Sequence, residues 1–128
     1  MGILHLDAHA DLRDAYEGFR WSHASIMFNV LRHLPAVARI VEVYLSFDID
    51  GLDPALCPHT GTPVLGGLSF PEVSALLRAV VETGRRIVGL DLCEVAPDPG
   101  GSEWDGNVGA RVLYKQIGYA LLSSGAPK

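Results

Sequence analysis

Two short stretches of the sequence concentrate side chains that bind metal ions. Asp7, His9 and Asp11 alternate in the first stretch, and Asp48 and Asp50 alternate in the second. Alternate side chains of an extended chain point the same way, so all five converge if the two stretches are neighbouring strands. Four clustered carboxylates need a cation to stay ionised. Four carboxylates with one imidazole are too many for one catalytic zinc ion; they suit two divalent cations and favour manganese.

Short apolar runs alternate with helical patterns and predict a parallel α/β sheet. The predicted strands are 3–7, 39–48 and 87–92. The predicted helices are 22–34, 69–84 and a last one from about 105. Ser22 or Ser25 is expected to cap the first helix, while Ser69 and Glu72 form a capping box for the second. Ligands bind at the carboxyl ends of such strands, and the aspartates named above and Glu94 all lie at these ends.

Composition bounds the class of protein. The chain has 128 residues, 48% of them apolar, and a formal net charge of −5. We therefore expect one globular domain over 1–128, and neither a disordered chain nor a basic nucleic-acid-binding protein. No apolar run approaches a membrane span and no secretory signal is visible. The two cysteines form no disulfide framework. The sequence predicts a cytoplasmic protein without nucleic-acid or membrane partners.

Several motifs, in this order along the chain, resemble the ureohydrolase family of arginases, agmatinases and formimidoylglutamases. The matching pieces are Asp7-Ala-His-Ala-Asp11, Ser22-His23, Ser46-Phe-Asp-Ile-Asp-Gly-Leu-Asp-Pro54, Thr60-Gly-Thr-Pro63, Gly66-Gly-Leu68 and Gly89-Leu-Asp-Leu-Cys-Glu94. The resemblance implies a three-layer αβα arginase-like fold, reduced here to about three parallel strands with crossover helices. It also implies two Mn²⁺ ions, and a metal-bridged hydroxide that attacks the guanidinium carbon of agmatine or a related compound and releases urea.

The resemblance also implies roles for individual residues. The implied metal ligands are Asp7, His9, Asp11, Asp48 and Asp50. The candidate catalytic residues are His23, as the proton shuttle, Glu94 and Asp11. Glu94 and Thr62 match residues that contact the substrate, and Arg13 stands where arginases place an Asn that holds the substrate carboxylate. The surrounding sequence is more similar to agmatinases. Arg13 either meets a substrate carboxylate or forms a surface salt bridge with Asp14 or Glu17.

The sequence departs from the family pattern at two places. Nothing before Met1 resembles the family's Gly-Gly-Asp-His motif, whose histidine is a further metal ligand; His5 and His59 are the candidates to replace it. Between Val41 and Val43 the chain runs straight through where relatives carry additional strand–helix units. The missing units would leave strand edges bare, so we expect a homo-oligomer.

Two other interpretations compete with an active hydrolase. The first is an impaired or inactive ureohydrolase remnant that serves only as a metal-binding or interaction module. The second is a haloacid-dehalogenase-like phosphatase, because Asp48-Ile-Asp-Gly51 resembles the Asp-x-Asp-Gly of that family. The phosphatase interpretation leaves Asp7, His9 and Asp11 unexplained, and Leu52 replaces the expected threonine.

Overall fold

The structure, a computed structural model, describes residues 2–34 and 42–125. The chain divides into two compact units, Met1–Ala8 with Ile40–Lys128 and His9–Arg39. The strands are β1 (Gly2–Leu6), β2 (Glu42–Asp48) and β3 (Arg86–Cys93), and the helices are α1 (Ile26–His33), α2 (Phe70–Glu82) and α3 (Trp104–Ser123). A single domain over 1–128 stays a prediction.

The three strands form one parallel sheet in the first unit, in the order β1-β2-β3. Leu4 lies beside Leu45, and Leu45 lies beside Leu90. Parallel neighbours require crossover connections, which the alternating sequence pattern predicted. The prediction of a parallel α/β sheet reduced to three strands is confirmed. The first three residues of the predicted strand 39–48 lie outside the described residues.

One face of β2 forms the centre of the hydrophobic core. Val43, Leu45 and Phe47 alternate along this strand and are each at least nine-tenths buried. Burying each of these side chains contributes roughly 1.5–3 kcal/mol. The core includes residues from both helices of this unit, namely Val73 and Leu77 of α2 and Val108 and Val112 of α3.

The opposite face of β2 carries polar side chains. Tyr44 faces Gly89 across the β2–β3 ladder, and Ser46 faces Asp91. A Cβ atom at Gly89 would lie 2.6 Å from the Tyr44 ring, so only glycine leaves room for the phenol. The Asp91 carboxylate accepts a hydrogen bond from Ser46 Oγ at 3.3 Å. It also raises the pKa of Tyr44, because it accepts the phenol's hydrogen bond and repels the phenolate.

The ends of α2 and the packing of α3 follow from local chemistry. The capping box between Ser69 and Glu72 is confirmed, and Gly84 closes α2 with a left-handed φ of +73°. Along β3, the Ile87 amide donates to Ser123 Oγ of α3 at 2.9 Å. Gln116 Nε2 donates to the Asp91 carbonyl at 3.1 Å.

No helix in the described part of the chain combines the length and apolar content needed to cross a membrane.

In the second unit, a single 3₁₀ turn (His23–Ser25) leads into α1. The expected cap was wrong, because neither Ser22 nor Ser25 bonds a backbone amide of the helix through its side chain. Their hydroxyls instead lie 2.7 Å apart and bond each other. Residue 35, the expected stop of this helix, lies outside the described residues.

Candidate metal centre

Three aspartates of the first unit lie where β1 and β2 end. Asp7 directly follows β1, Asp48 ends β2, and Asp50 lies in the 3₁₀ turn Ile49–Gly51. The amide of Ala8 donates to Asp50 Oδ1 at 3.1 Å, which joins the end of β1 to this turn. A Cβ atom at Gly51 would lie 3.1 Å from the Asp7 amide nitrogen. Glycine therefore permits the close approach that brings Asp7 to Asp50.

The electrostatics of Asp48 reflect this crowding of carboxylates. Burial, together with the negative charges of Asp50, Asp7 and Glu94, raises the pKa of Asp48 to about 7, against a backbone hydrogen bond from the Asp50 amide that lowers it. Four carboxylates that repel one another favour a bound cation, and oxygen donors suit hard or borderline divalent ions such as Mn²⁺. The donor set of the first unit thus fits a divalent metal ion.

Asp50 is the most enclosed of these carboxylates, with only 1% of its surface exposed. Its backbone amide donates to Asp48 Oδ1 at 3.2 Å, and its Oδ2 accepts from Thr62 Oγ1 at 3.0 Å. The hydroxyl of Thr62 therefore orients a predicted metal ligand. Contact between Thr62 and a substrate stays a prediction.

Glu94 follows directly after β3 and is exposed. Its φ of +62° is left-handed, a conformation that costs a residue with a side chain about 1–2 kcal/mol. A Cβ atom at Gly61 would lie 3.5 Å from Glu94 Oε2, so the 59–62 segment passes beside this carboxylate. Backbone strain of this kind clusters at functional sites, and the binding role of Glu94 stays a prediction.

His5, one of the two candidates to replace the family's further metal-ligand histidine, lies against Asp7. In the structure His5 Nε2 lies 2.9 Å from Asp7 Oδ2, and 14% of the His5 side chain and 8% of the Asp7 side chain are exposed. His5 and Asp7 are two residues apart, and alternate residues of an extended chain point to the same side. His59, the other candidate replacement ligand, lies instead against Asp98 and Asp105.

The remaining predicted site residues belong to the second unit, where Tyr16 brings two of them together. The Arg13 guanidinium lies 5.3 Å from the centre of the Tyr16 ring, and the His23 ring meets Tyr16 edge-on at 5.2 Å. Asp14, one expected partner of Arg13, lies 3.9 Å from Arg32.

The motif Asp7-Ala-His-Ala-Asp11 continues into this unit, which begins with His9. Asp11 has a left-handed φ of +49°, and its carbonyl accepts from the Phe28 amide at 3.1 Å. This bond fixes the backbone of Asp11 against α1. The ligand roles of His9 and Asp11 stay predictions.

Comparison with known proteins identifies the class. A model of the arginase family matches residues 1–42 and 27–118. Together these matches cover most of the chain, which therefore belongs to the arginase family. The two matches overlap at 27–42, and this overlap ends where the sequence predicts internal shortening.

Individual relatives agree with this membership. The chain is 32% identical to an N(1)-aminopropylagmatine ureohydrolase of Thermus thermophilus, covering 96% of this chain and 55% of the relative. It is 32% identical to the agmatinase of Halalkalibacterium halodurans, covering 76% and 47%. A hypothetical agmatinase from Burkholderia thailandensis shares the fold, with a TM-score of 0.77 at 24% identity over 99% of this chain and 53% of that one. The chain spans about half the length of the curated relatives it matches.

Proposed function

We propose that this protein hydrolyses the guanidinium group of agmatine or a related guanidino compound, with two Mn²⁺ ions as cofactors. The observation that carries the proposal is the cluster of Asp7, Asp48, Asp50 and Glu94 at the carboxyl edge of the sheet. The mutual repulsion that helps to raise the pKa of Asp48 to about 7 supports a site built for cations. Family membership supports the reaction class.

The metal ions would be held by two groups of ligands. Asp7, Asp48 and Asp50 are the ligands of the first unit, and His9 and Asp11 complete the set through the motif that they share with Asp7. When bound, the two cations supply an activated water nucleophile at neutral pH. Such a nucleophile is required because a guanidinium is resonance-stabilised and a poor electrophile.

The other residues bind the substrate and move protons. Glu94 would accept paired hydrogen bonds from the planar guanidinium, which fixes the orientation of the cation. Thr62 holds Asp50 through the hydrogen bond described above and would line the pocket that receives the guanidinium. His23 would donate the proton that the leaving amine needs. Its edge contact with Tyr16 limits the orientations of the imidazole in the second unit.

The relatives and Arg13 favour different substrates, and we give more weight to the relatives. The relatives named agmatinase and N(1)-aminopropylagmatine ureohydrolase support a guanidino amine. A substrate carboxylate would instead form an ion pair with the Arg13 guanidinium. We expect agmatine to be preferred over arginine.

We also expect a homo-oligomer, which light scattering after size-exclusion chromatography measures directly.

The first test is the stoichiometry of metal binding. Metal-free protein is titrated with Mn²⁺ beside two variants, Asp48→Asn and Asp53→Asn. Asp53 is the matched control because its Oδ1 accepts from the Ala55 amide at 2.8 Å in a turn of the same segment. Two sites in the wild type and in Asp53→Asn, weakened or lost in Asp48→Asn, would support the centre. One weak site or none would contradict it and favour a non-catalytic remnant.

The second test is urea release. Mn²⁺-loaded protein is incubated with agmatine, N(1)-aminopropylagmatine and arginine in parallel, and His23→Ala and Glu94→Gln serve as active-site variants. We expect release from a guanidino amine, and we expect His23→Ala to lower kcat by about 10²–10⁴-fold. Absence of urea from all three substrates, despite two occupied metal sites, would refute the catalytic proposal while leaving the metal centre intact.

A further inference from the structure

The imidazole of His59 lies between two carboxylates from different segments. Its Nδ1 is 2.9 Å from Asp105 Oδ2 and its Nε2 is 3.3 Å from Asp98 Oδ1. The His59 backbone amide also donates to Asp105 Oδ1 at 3.0 Å. A carboxylate at each nitrogen favours the imidazolium, in which both nitrogens carry a proton and the ring is positively charged.

Both carboxylates are themselves fixed in place. Asp105 lies in the first turn of α3 with 2% of its side chain exposed. The Asp98 carboxylate accepts hydrogen bonds from the backbone amides of Gly100 at 2.6 Å and Ser102 at 3.2 Å. Of the Asp98 side chain, 17% is exposed. His59 therefore joins its own segment to the loop after β3, where backbone amides hold Asp98, and to the buried Asp105 at the start of α3.

The segments that His59 joins carry the groups proposed to bind the guanidinium. The 59–62 segment begins at His59 and ends at Thr62, whose hydroxyl donates to Asp50. Between these two anchors, Gly61 lies beside the carboxylate of Glu94. Asp98 follows Glu94 by four residues in the other segment. A displacement of His59 would thus change the spacing between Thr62 and Glu94.

We propose that His59 is a positioning residue, whose imidazolium bridges Asp98 and Asp105 and so sets the placement of Thr62 and Glu94 for binding a guanidinium group. The part that concerns guanidinium binding rests on the proposed function. The bridge itself and its effect on Gly61 and Thr62 do not depend on the proposed function.

The bridge gives the segment a defined response to pH. The hydrogen bond to Asp105 raises the pKa of His59 above its ordinary value against the effect of desolvation, and the charges of Asp98 and Asp105 add to the increase. These two aspartates are the charged groups that face the ring from the segments packed against it in the described part of the chain. A raised folded-state pKa means that the bridge is complete at low pH and is lost as pH rises through that pKa.

The bridge is tested by NMR titration of the full chain without added metal. We expect the His59 ring to titrate above its ordinary pKa, and the amide signals of Gly61 and Thr62 to follow the same midpoint. In Asp98→Asn both midpoints fall together by about 0.5–1 pH unit, because one of the two charges is removed. Asp53→Asn, which lies outside the bridge, leaves them unchanged. The proposal would be overturned if the His59 ring had an ordinary pKa and if that pKa did not change in Asp98→Asn.

The Asp98→Asn shift also separates His59 from Asp48, whose pKa is raised as well. If the Gly61 and Thr62 signals keep their midpoint in Asp98→Asn while the His59 ring moves, those signals report Asp48, and the positioning role is wrong. This experiment needs neither Mn²⁺ nor turnover, so it decides the bridge even if the proposed hydrolysis fails.

Steady-state kinetics with agmatine tests the link to substrate binding. We expect His59→Ala to raise KM by about 10-fold with a smaller change in kcat, because it disturbs placement rather than chemistry. His59→Gln keeps a side-chain donor without the positive charge, and we expect its KM to lie between those of His59→Ala and the wild type. An unchanged KM in His59→Ala, in protein that turns over agmatine normally, would overturn the positioning role.

Discussion

Lowering the pH from about 8 to about 6 should weaken Mn²⁺ binding roughly tenfold, through protonation of Asp48. Because its pKa in the metal-free protein is about 7, the carboxylate is about nine-tenths ionised at pH 8 and about one-tenth ionised at pH 6. A metal ligand must be deprotonated, so the apparent affinity follows this fraction. At pH 7 the binding event should release about half a proton from this group.

The assay is isothermal titration calorimetry of Mn²⁺ at several pH values, in buffers with different ionisation enthalpies, which reports affinity and proton release together. Glu94→Gln is the informative variant, because the Glu94 charge is one cause of the raised pKa. Without that charge the pKa of Asp48 falls, so the loss of affinity moves to lower pH. An affinity that stays constant between pH 8 and pH 6, with no proton released, would refute the reasoning.

Three further predictions concern stability and are checked by urea denaturation. Thr62→Val removes the bond to the buried Asp50 carboxylate and should lower the free energy of unfolding by about 1.5 kcal/mol, whereas Thr62→Ser keeps the donor; equal stabilities would refute this. Gly67→Ala places a methyl group against the Leu52 carbonyl and should cost about 1–3 kcal/mol, so a neutral result would be inconsistent with that contact. Gly118→Ala has open space within α3 and should stabilise by about 0.5–1 kcal/mol; destabilisation would contradict the open space.

Much of the sheet and part of the site could be predicted from sequence, because both depend on local alternation. Asp48 and Asp50 follow an apolar strand at a spacing of two, and strand ends in a parallel sheet share an edge. The capping box at Ser69 and Glu72 was readable for the same reason, since its partners are three residues apart. Such short-range rules need no knowledge of the tertiary structure.

The features that sequence reasoning missed depend on distant or competing contacts. His59 is 39 and 46 residues from Asp98 and Asp105, so no local pattern marks the three as partners. The cap expected from Ser22 or Ser25 was wrong because the two hydroxyls bond each other in place of a backbone amide of the helix. Thr62 was predicted from the resemblance as a substrate contact, and its bond to Asp50 required the tertiary structure.

The left-handed backbone of Glu94 has a consequence for directed evolution. At a φ of +62°, glycine or asparagine is the more stable occupant, since glycine pays no penalty for a Cβ atom there. A random library selected for thermal resistance alone should therefore accumulate such replacements at this position and lose the carboxylate that is proposed to bind the guanidinium. Selection for turnover should retain the glutamate, so the ratio of the two outcomes measures how far function and stability conflict at this position.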